Sequence, residues 1–249
     1  MMAGRGRMAR YIVPAMKETA HPLHRQIPLT RENLRSGVIR DWIKQQDPTF
    51  VPMAEDEVIA SRHALFGGKA PTEDVWLFGY GSLIWNPTIE FEEKRCGTVF
   101  GVHRRFCLET RLGRGTPDCP GLTLGLDRGG SCRGLVFRIP GRAAEEELDL
   151  VWRREMISNA YRPAWLKVRT AEGPVMAVGF VINRNHQRYC GDRCDDEIAN
   201  TIAKAQGFLG PCCEYLFNTV EHLAELKIPD AGLTRLAAKV ARVQAASAS

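Results

Sequence analysis

Apolar positions along the chain change their spacing twice. Between Thr30 and Gln46 they fall at Leu34, Val38, Ile39 and Trp42, the interval of one helix face, and Thr30 followed by Glu32 supplies a helix start. Pro48 and Pro52 close that segment, and a second, shorter helix is predicted around Glu55 to Leu65, ending at Gly67-Gly68. From Val75 the pattern turns to short strand-like runs parted by Gly and Pro: Val75 to Gly79, Cys96 to Val102, Phe106 to Thr110, Leu122 to Leu126 and Ser131 to Ile139. A helix from about Arg142 to Asn159 interrupts them. Ala164 to Thr170 and Val175 to Ile182 then flank a Glu172-Gly173-Pro174 turn as a hairpin. Helical spacing returns from Asp195 to about Gln206, with Asp195 as cap, from Glu214 to Leu226 and from Leu233 to Val243.

Strands in the middle and helices at both ends, without regular alternation, predict an α+β domain built on a small mixed β-barrel or curved sheet with flanking helices. Three stretches follow: a leader and helical extension (1–70, the leader itself to about residue 28), a main domain (71–230), and a C-terminal helix and tail (231–249). No internal repeat is visible. A chain of 249 residues, 44% hydrophobic and 25% charged, can bury one large core. Its longest apolar runs, such as Val175 to Ile182, fall far short of the roughly 20 residues of a membrane-spanning helix, which predicts a soluble protein without a membrane partner. The net charge of +5 is spread along the chain with no basic cluster interleaved with aromatics. That argues against nucleic acid and suits the steering of a small anionic substrate.

The segment Met1 to Lys17 carries Arg5, Arg7, Arg10 and Lys17 and no acid, but its apolar stretch is short and contains Pro14. A secretory signal is excluded on that pattern; an organelle-targeting sequence and a disordered basic terminus both stay open. Eight cysteines in a chain neither small nor visibly secreted read as reduced thiols and a cytoplasmic location.

Two features carry candidate chemistry. The strand Val75 to Phe78 runs into Gly79-Tyr80-Gly81-Ser82-Leu83-Ile84, where glycines let the backbone turn tightly and present N–H groups to a carboxylate or carbonyl. Ile84 stands where a dinucleotide fingerprint or a G-x-S-x-G elbow needs a glycine, so the loop reads either as a small-ligand cradle or as a strand-ending turn. The second feature is Glu155. In the helix over Ala143 to Met156 it follows Leu148, Val151 and Trp152 at spacings of seven, four and three, which places a carboxylate on the apolar face. Desolvation there favours a general base; the competing account is a buried ion pair with Arg104, Arg105 or Arg162. Glu145, Glu146 and Glu147, in the first turn, read as solvated charges matched to the helix dipole.

Taken in order, Trp76-Leu-Phe-Gly-Tyr-Gly-Ser-Leu-Ile-Trp85, Arg104-Arg-Phe106, Arg114-Gly-Thr116 with Pro120-Gly121, Arg154-Glu155 with Tyr161, and Glu214-Tyr-Leu216 resemble the ChaC family of γ-glutamylcyclotransferases over about residues 75–226. The resemblance implies the γ-glutamylcyclotransferase-like fold and conversion of glutathione to 5-oxoproline and cysteinylglycine. It implies Gly79, Tyr80, Gly81, Ser82, Leu83 and Ile84 as the substrate-binding segment and Glu155 as proton acceptor, with neither metal nor organic cofactor. Arg105, Tyr161 and Tyr215 are candidates for lining the pocket, the tyrosines equally for the core edge. A cyclotransferase for other γ-glutamyl amines and a noncatalytic regulator on the same fold are the rival functions. His186, Cys190 and Cys194, with Cys212-Cys213, have ligand types of a zinc site but looser spacing than paired C-x-x-C, and read as thiols. Asp192, Asp195, Asp196 and Glu197 read as helix-start charges.

Overall fold

Two long strands organise the molecule, β2 (Glu93–Thr110) and β3 (Gly121–Ile139), paired antiparallel over almost their whole length. They merge the four short runs read from sequence. The breaks in periodicity behind that reading are register shifts at Phe100/Val102 and Phe106/Leu108, where a bulge bends the pair instead of ending it. This is a computed structural model, and it describes residues 27–47 and 50–247. Most of the basic leader, 1–26, lies outside the described residues.

β1 (Val75–Gly79) pairs with β3, and β4 (Tyr161–Thr170) and β5 (Gly173–Ile182) form the expected hairpin, with Gly173 at φ 117 inside β5. The strand order β1-β3-β2-β4-β5 closes into a barrel through parallel pairing of β1 with β5. Antiparallel and parallel pairs together make it a mixed barrel with no open edge at that seam.

The N-terminal extension holds α1 (Arg31–Arg35), α2 (Val38–Gln46) and α3 (Glu55–Leu65). The single helix expected from Thr30 is two, because Gly37 takes φ 74, a left-handed conformation that favours glycine. Leu34, Ile39 and Ile43 form a small core of their own against Leu150 of α4 (Gly141–Glu155). The inner face of α4 enters the main core: Trp152 is fully buried and meets Phe180 edge-on at 5.0 Å. α5 (Asp195–Lys204), α6 (Cys212–Glu225) and α7 (Ala231–Ser247) cover the far side, and Leu233, Leu236 and Val240 of α7 belong to the same core as the barrel.

The three glutamates Glu145, Glu146 and Glu147 in α4 are not all solvated. Glu147 is 2% exposed and held by both Arg31 Nη atoms, at 2.5 and 2.7 Å, while accepting the Glu90 N–H at 2.8 Å. Glu145 pairs with the buried Arg62, and Glu146 with Arg35. These acids tie α4 to the extension; the helix opens at Gly141 and its first turn holds no acid, so the three glutamates are not the first-turn charges expected from sequence. All eight cysteines are free thiols. Among the described residues no helix is long and apolar enough to cross a membrane.

Candidate active site

Helix α4 ends at Glu155, four residues short of the end expected from sequence. The difference matters chemically, because the C-terminus of a helix is the negative end of its dipole and disfavours a carboxylate. Leu148, Val151 and Trp152 are buried as the spacing predicts, and they draw Glu155 inward to 15% side-chain exposure. Burial pushes its carboxyl above the ordinary range, with the charge of Arg154 and a hydrogen bond from it pulling the other way.

Its ion-pair partner is therefore the adjacent Arg154, Nε to Oε1 at 3.1 Å, and none of the three arginines expected from sequence. Arg104 meets Asp230 and the Cys132 sulfur, Arg105 donates to the Arg193 carbonyl at 3.1 Å, and Arg162 donates to Asn183. Arg105 is thus directed to the backbone before α5 and does not join the group around Glu155.

The glycine loop meets this helix end through one side chain. Ser82 Oγ accepts from Arg154 Nη2 at 2.8 Å. Tyr80, Leu83 and Ile84 are buried, and the Tyr80 hydroxyl is taken up by the Phe180 carbonyl at 3.1 Å. Gly79 closes β1, where an added Cβ would stand 3.1 Å from both Leu83 and Phe137. Gly81 has φ −135, so positive φ is not its reason for being glycine; a Cβ there would stand 2.9 Å from the Tyr215 hydroxyl. Ser82–Ile84 form a single 3-10 turn, whose opening N–H groups have no acceptor within the turn.

Tyr161 and Tyr215 complete the group. The Tyr161 hydroxyl donates to the Leu124 carbonyl at 2.7 Å, and Tyr215 lies between Gly81 and the Leu124 backbone. Burial first pushes the hydroxyls of Tyr80, Tyr161 and Tyr215 upward; the charge of Glu155 adds to this in all three, and a neighbouring tyrosine adds to it in Tyr80 and Tyr161, so three neutral phenols share the surroundings of one carboxylate. Beside Tyr215 stand Trp85 at 5.6 Å and Phe106 at 5.7 Å, with His222 stacked on Trp85. The sequence reading missed Trp85 and His222 as neighbours and Arg154 as the link; Arg154 was visible only as the residue before Glu155.

Two hollows lie elsewhere. A cavity of about 30 Å³ is lined by Leu34, Ile39, Met53, Val58 and Met156, and an open cleft of about 480 Å³ by Glu109, Pro120, Arg193, Glu197, Asn200 and Thr201. Neither includes Glu155 or the loop, so the chemistry, not the size of a hollow, marks this site. Among the described residues no three His, Cys, Asp or Glu side chains gather as a metal-binding group, and Cys212 donates instead to the Leu122 carbonyl.

A mixed five-stranded barrel with a buried carboxylate facing a glycine loop belongs to the γ-glutamylcyclotransferase fold class. The solved glutathione-specific γ-glutamylcyclotransferase from yeast superposes with a TM-score of 0.62 at 22% identity, covering 69% of this chain and all of that one. A sequence model described as ChaC-like protein matches residues 75–243. The glutathione-specific gamma-glutamylcyclotransferase of Escherichia coli (strain K12) is 42% identical over 187 residues, 75% of this chain and 81% of its own. Glutathione-specific gamma-glutamylcyclotransferase 1 of Mus musculus is 30% identical over 161 residues, 63% of this chain and 72% of its own. The chain belongs to the ChaC-like family.

Proposed function

We propose that this chain degrades glutathione by cyclising its γ-glutamyl group, with Glu155 as the proton acceptor and the loop Gly79 to Ile84 as the segment that holds that group. The observation that carries the reading is the largely buried Glu155 carboxylate, joined to the loop through Arg154 and Ser82. The curated names of the relatives, which specify glutathione, support the choice of substrate.

The nucleophile belongs to the substrate. Glu155 takes a proton from the α-ammonium, and the freed amine attacks the γ-carbonyl carbon, forming the new C–N bond of a five-membered ring. The carbonyl electrons move onto oxygen, where loop N–H groups can stabilise them. As they return, the bond to the cysteinyl nitrogen breaks, and Glu155 returns its proton to that nitrogen. The products are 5-oxoproline and cysteinylglycine. An elevated carboxyl is suited to both transfers. Tyr161 and Tyr215 stand with Glu155, which keeps 15% side-chain exposure, as candidates for contact with substrate. Free thiols fit a reducing compartment, and we place the reaction in the cytoplasm.

Purified protein incubated with glutathione should yield 5-oxoproline and cysteinylglycine in equal amounts. A panel of other γ-glutamyl amines tests the breadth of the pocket; product from those and none from glutathione would overturn the substrate assignment.

A further inference from the structure

Arg154 is buried to 4% side-chain exposure where polar groups of two elements converge on it. Its Nε faces Glu155 Oε1, its Nη1 donates to the Asn86 carbonyl and to Thr88 Oγ1, and its Nη2 donates to Ser82 Oγ. That occupies one N–H at Nε, two at Nη1 and one at Nη2, which leaves a single N–H of the planar fork unengaged. A guanidinium so occupied has no bidentate face left for a substrate carboxylate. What it grips is informative: the helix end on one side, and on the other a segment in which Thr88 holds φ 55, uncommon for a residue with a β-branched side chain. The Thr88 carbonyl is held in turn by Arg31.

We propose that Arg154 is the positioning residue of this site, fixing the Glu155 carboxylate and the glycine loop in one register without touching substrate. The proposal rests on the reading of Glu155 and the loop as a cyclotransferase centre. The groups facing Glu155 are Arg154 on its own helix, Tyr80 after β1, Tyr161 on β4 and Tyr215 on α6. The three phenols stay neutral through the working range of pH, so among the described residues Arg154 is the cation that governs the carboxylate.

The test compares Arg154→Met and Arg154→Lys with wild type in rate against pH and in a direct titration of Glu155 by carbon NMR of labelled glutamate, assigned with Glu155→Gln. Arg154→Met is expected to lower kcat about 10- to 100-fold with KM within about threefold. The acid limb of its pH profile should move to higher pH, because the positive charge that holds the carboxyl down is gone. Arg154→Lys should keep the acid limb near that of wild type while kcat stays about 10-fold low, since one ammonium cannot bridge Glu155 and Ser82. An unchanged kcat, or a loss confined to KM, would overturn the proposal, the latter by making Arg154 a substrate contact. The NMR titration needs no turnover. An upward shift in Arg154→Met supports the link even in a protein that forms no 5-oxoproline, an outcome that would remove the proposed function instead; an unmoved titration sinks the link. If Arg154→Met fails to fold, Ser82→Ala decides: it should lower kcat in wild type and add nothing in Arg154→Lys, whereas additive losses contradict the proposal.

Discussion

Glu155 is pressed toward its neutral form by burial and by the helix end beneath it, and Arg154 offsets only part of that. A carboxyl raised by folding adds stability below its unfolded value, and that contribution is lost as pH rises through the folded value. Glu155→Gln, which never ionises, escapes the loss. Urea unfolding from about pH 5 to about pH 8 should therefore show the Gln variant gaining stability relative to wild type. A gap that does not change with pH would contradict the assignment of a raised carboxyl. At Gly81 the constraint is space rather than backbone conformation, since a Cβ would press on the Tyr215 hydroxyl at 2.9 Å. Gly81→Ala is expected to destabilise the protein by about 1–3 kcal/mol and to weaken glutathione binding. Adding Tyr215→Phe, which removes the obstructing oxygen, should restore much of the stability; thermal melts of the single and double variants check this, and equal melts would show that the contact is not the cause.

The α4 helix serves two neighbours, the barrel through Trp152 and the N-terminal extension through Glu147. Arg31→Ala would leave a nearly buried carboxylate without its cation and is expected to cost about 3 kcal/mol in denaturant unfolding. Arg31→Ala combined with Glu147→Leu should lose less, because no charge is then stranded; equal losses would argue against the pair. Glu147 also shows where sequence stops being legible. In sequence it looks like a solvated charge near a helix start, but α4 already begins at Gly141, and the arrival of Arg31, 116 residues away, makes it a buried one. The same holds at the site. Leu148, Val151 and Trp152 fix the face on which Glu155 lies by local periodicity alone. The pairing with Arg154 depends on where α4 ends, and residues adjacent on a helix do not ordinarily face each other. Strand positions were readable and strand continuity was not, because bulges near Gly101 and Cys107 look like strand ends in the pattern.

The barrel, α4 and α6–α7 share one core, and the extension seats its smaller core on the outer face of α4. This arrangement predicts one calorimetric transition with matching van't Hoff and calorimetric enthalpies; a separate transition at lower temperature would mark the extension as an independent unit. The contacts from Leu29 to Asn86 and from Arg31 to Thr88 run from that extension to the segment that follows the glycine loop. The most direct test is the rate of 5-oxoproline formation from glutathione by wild type and Glu155→Gln, with glutathione affinity measured by calorimetry on the same preparations. The account predicts a loss of at least about 100-fold in kcat with affinity kept within a few-fold. A Gln variant that turns over glutathione within a few-fold of wild type would contradict it.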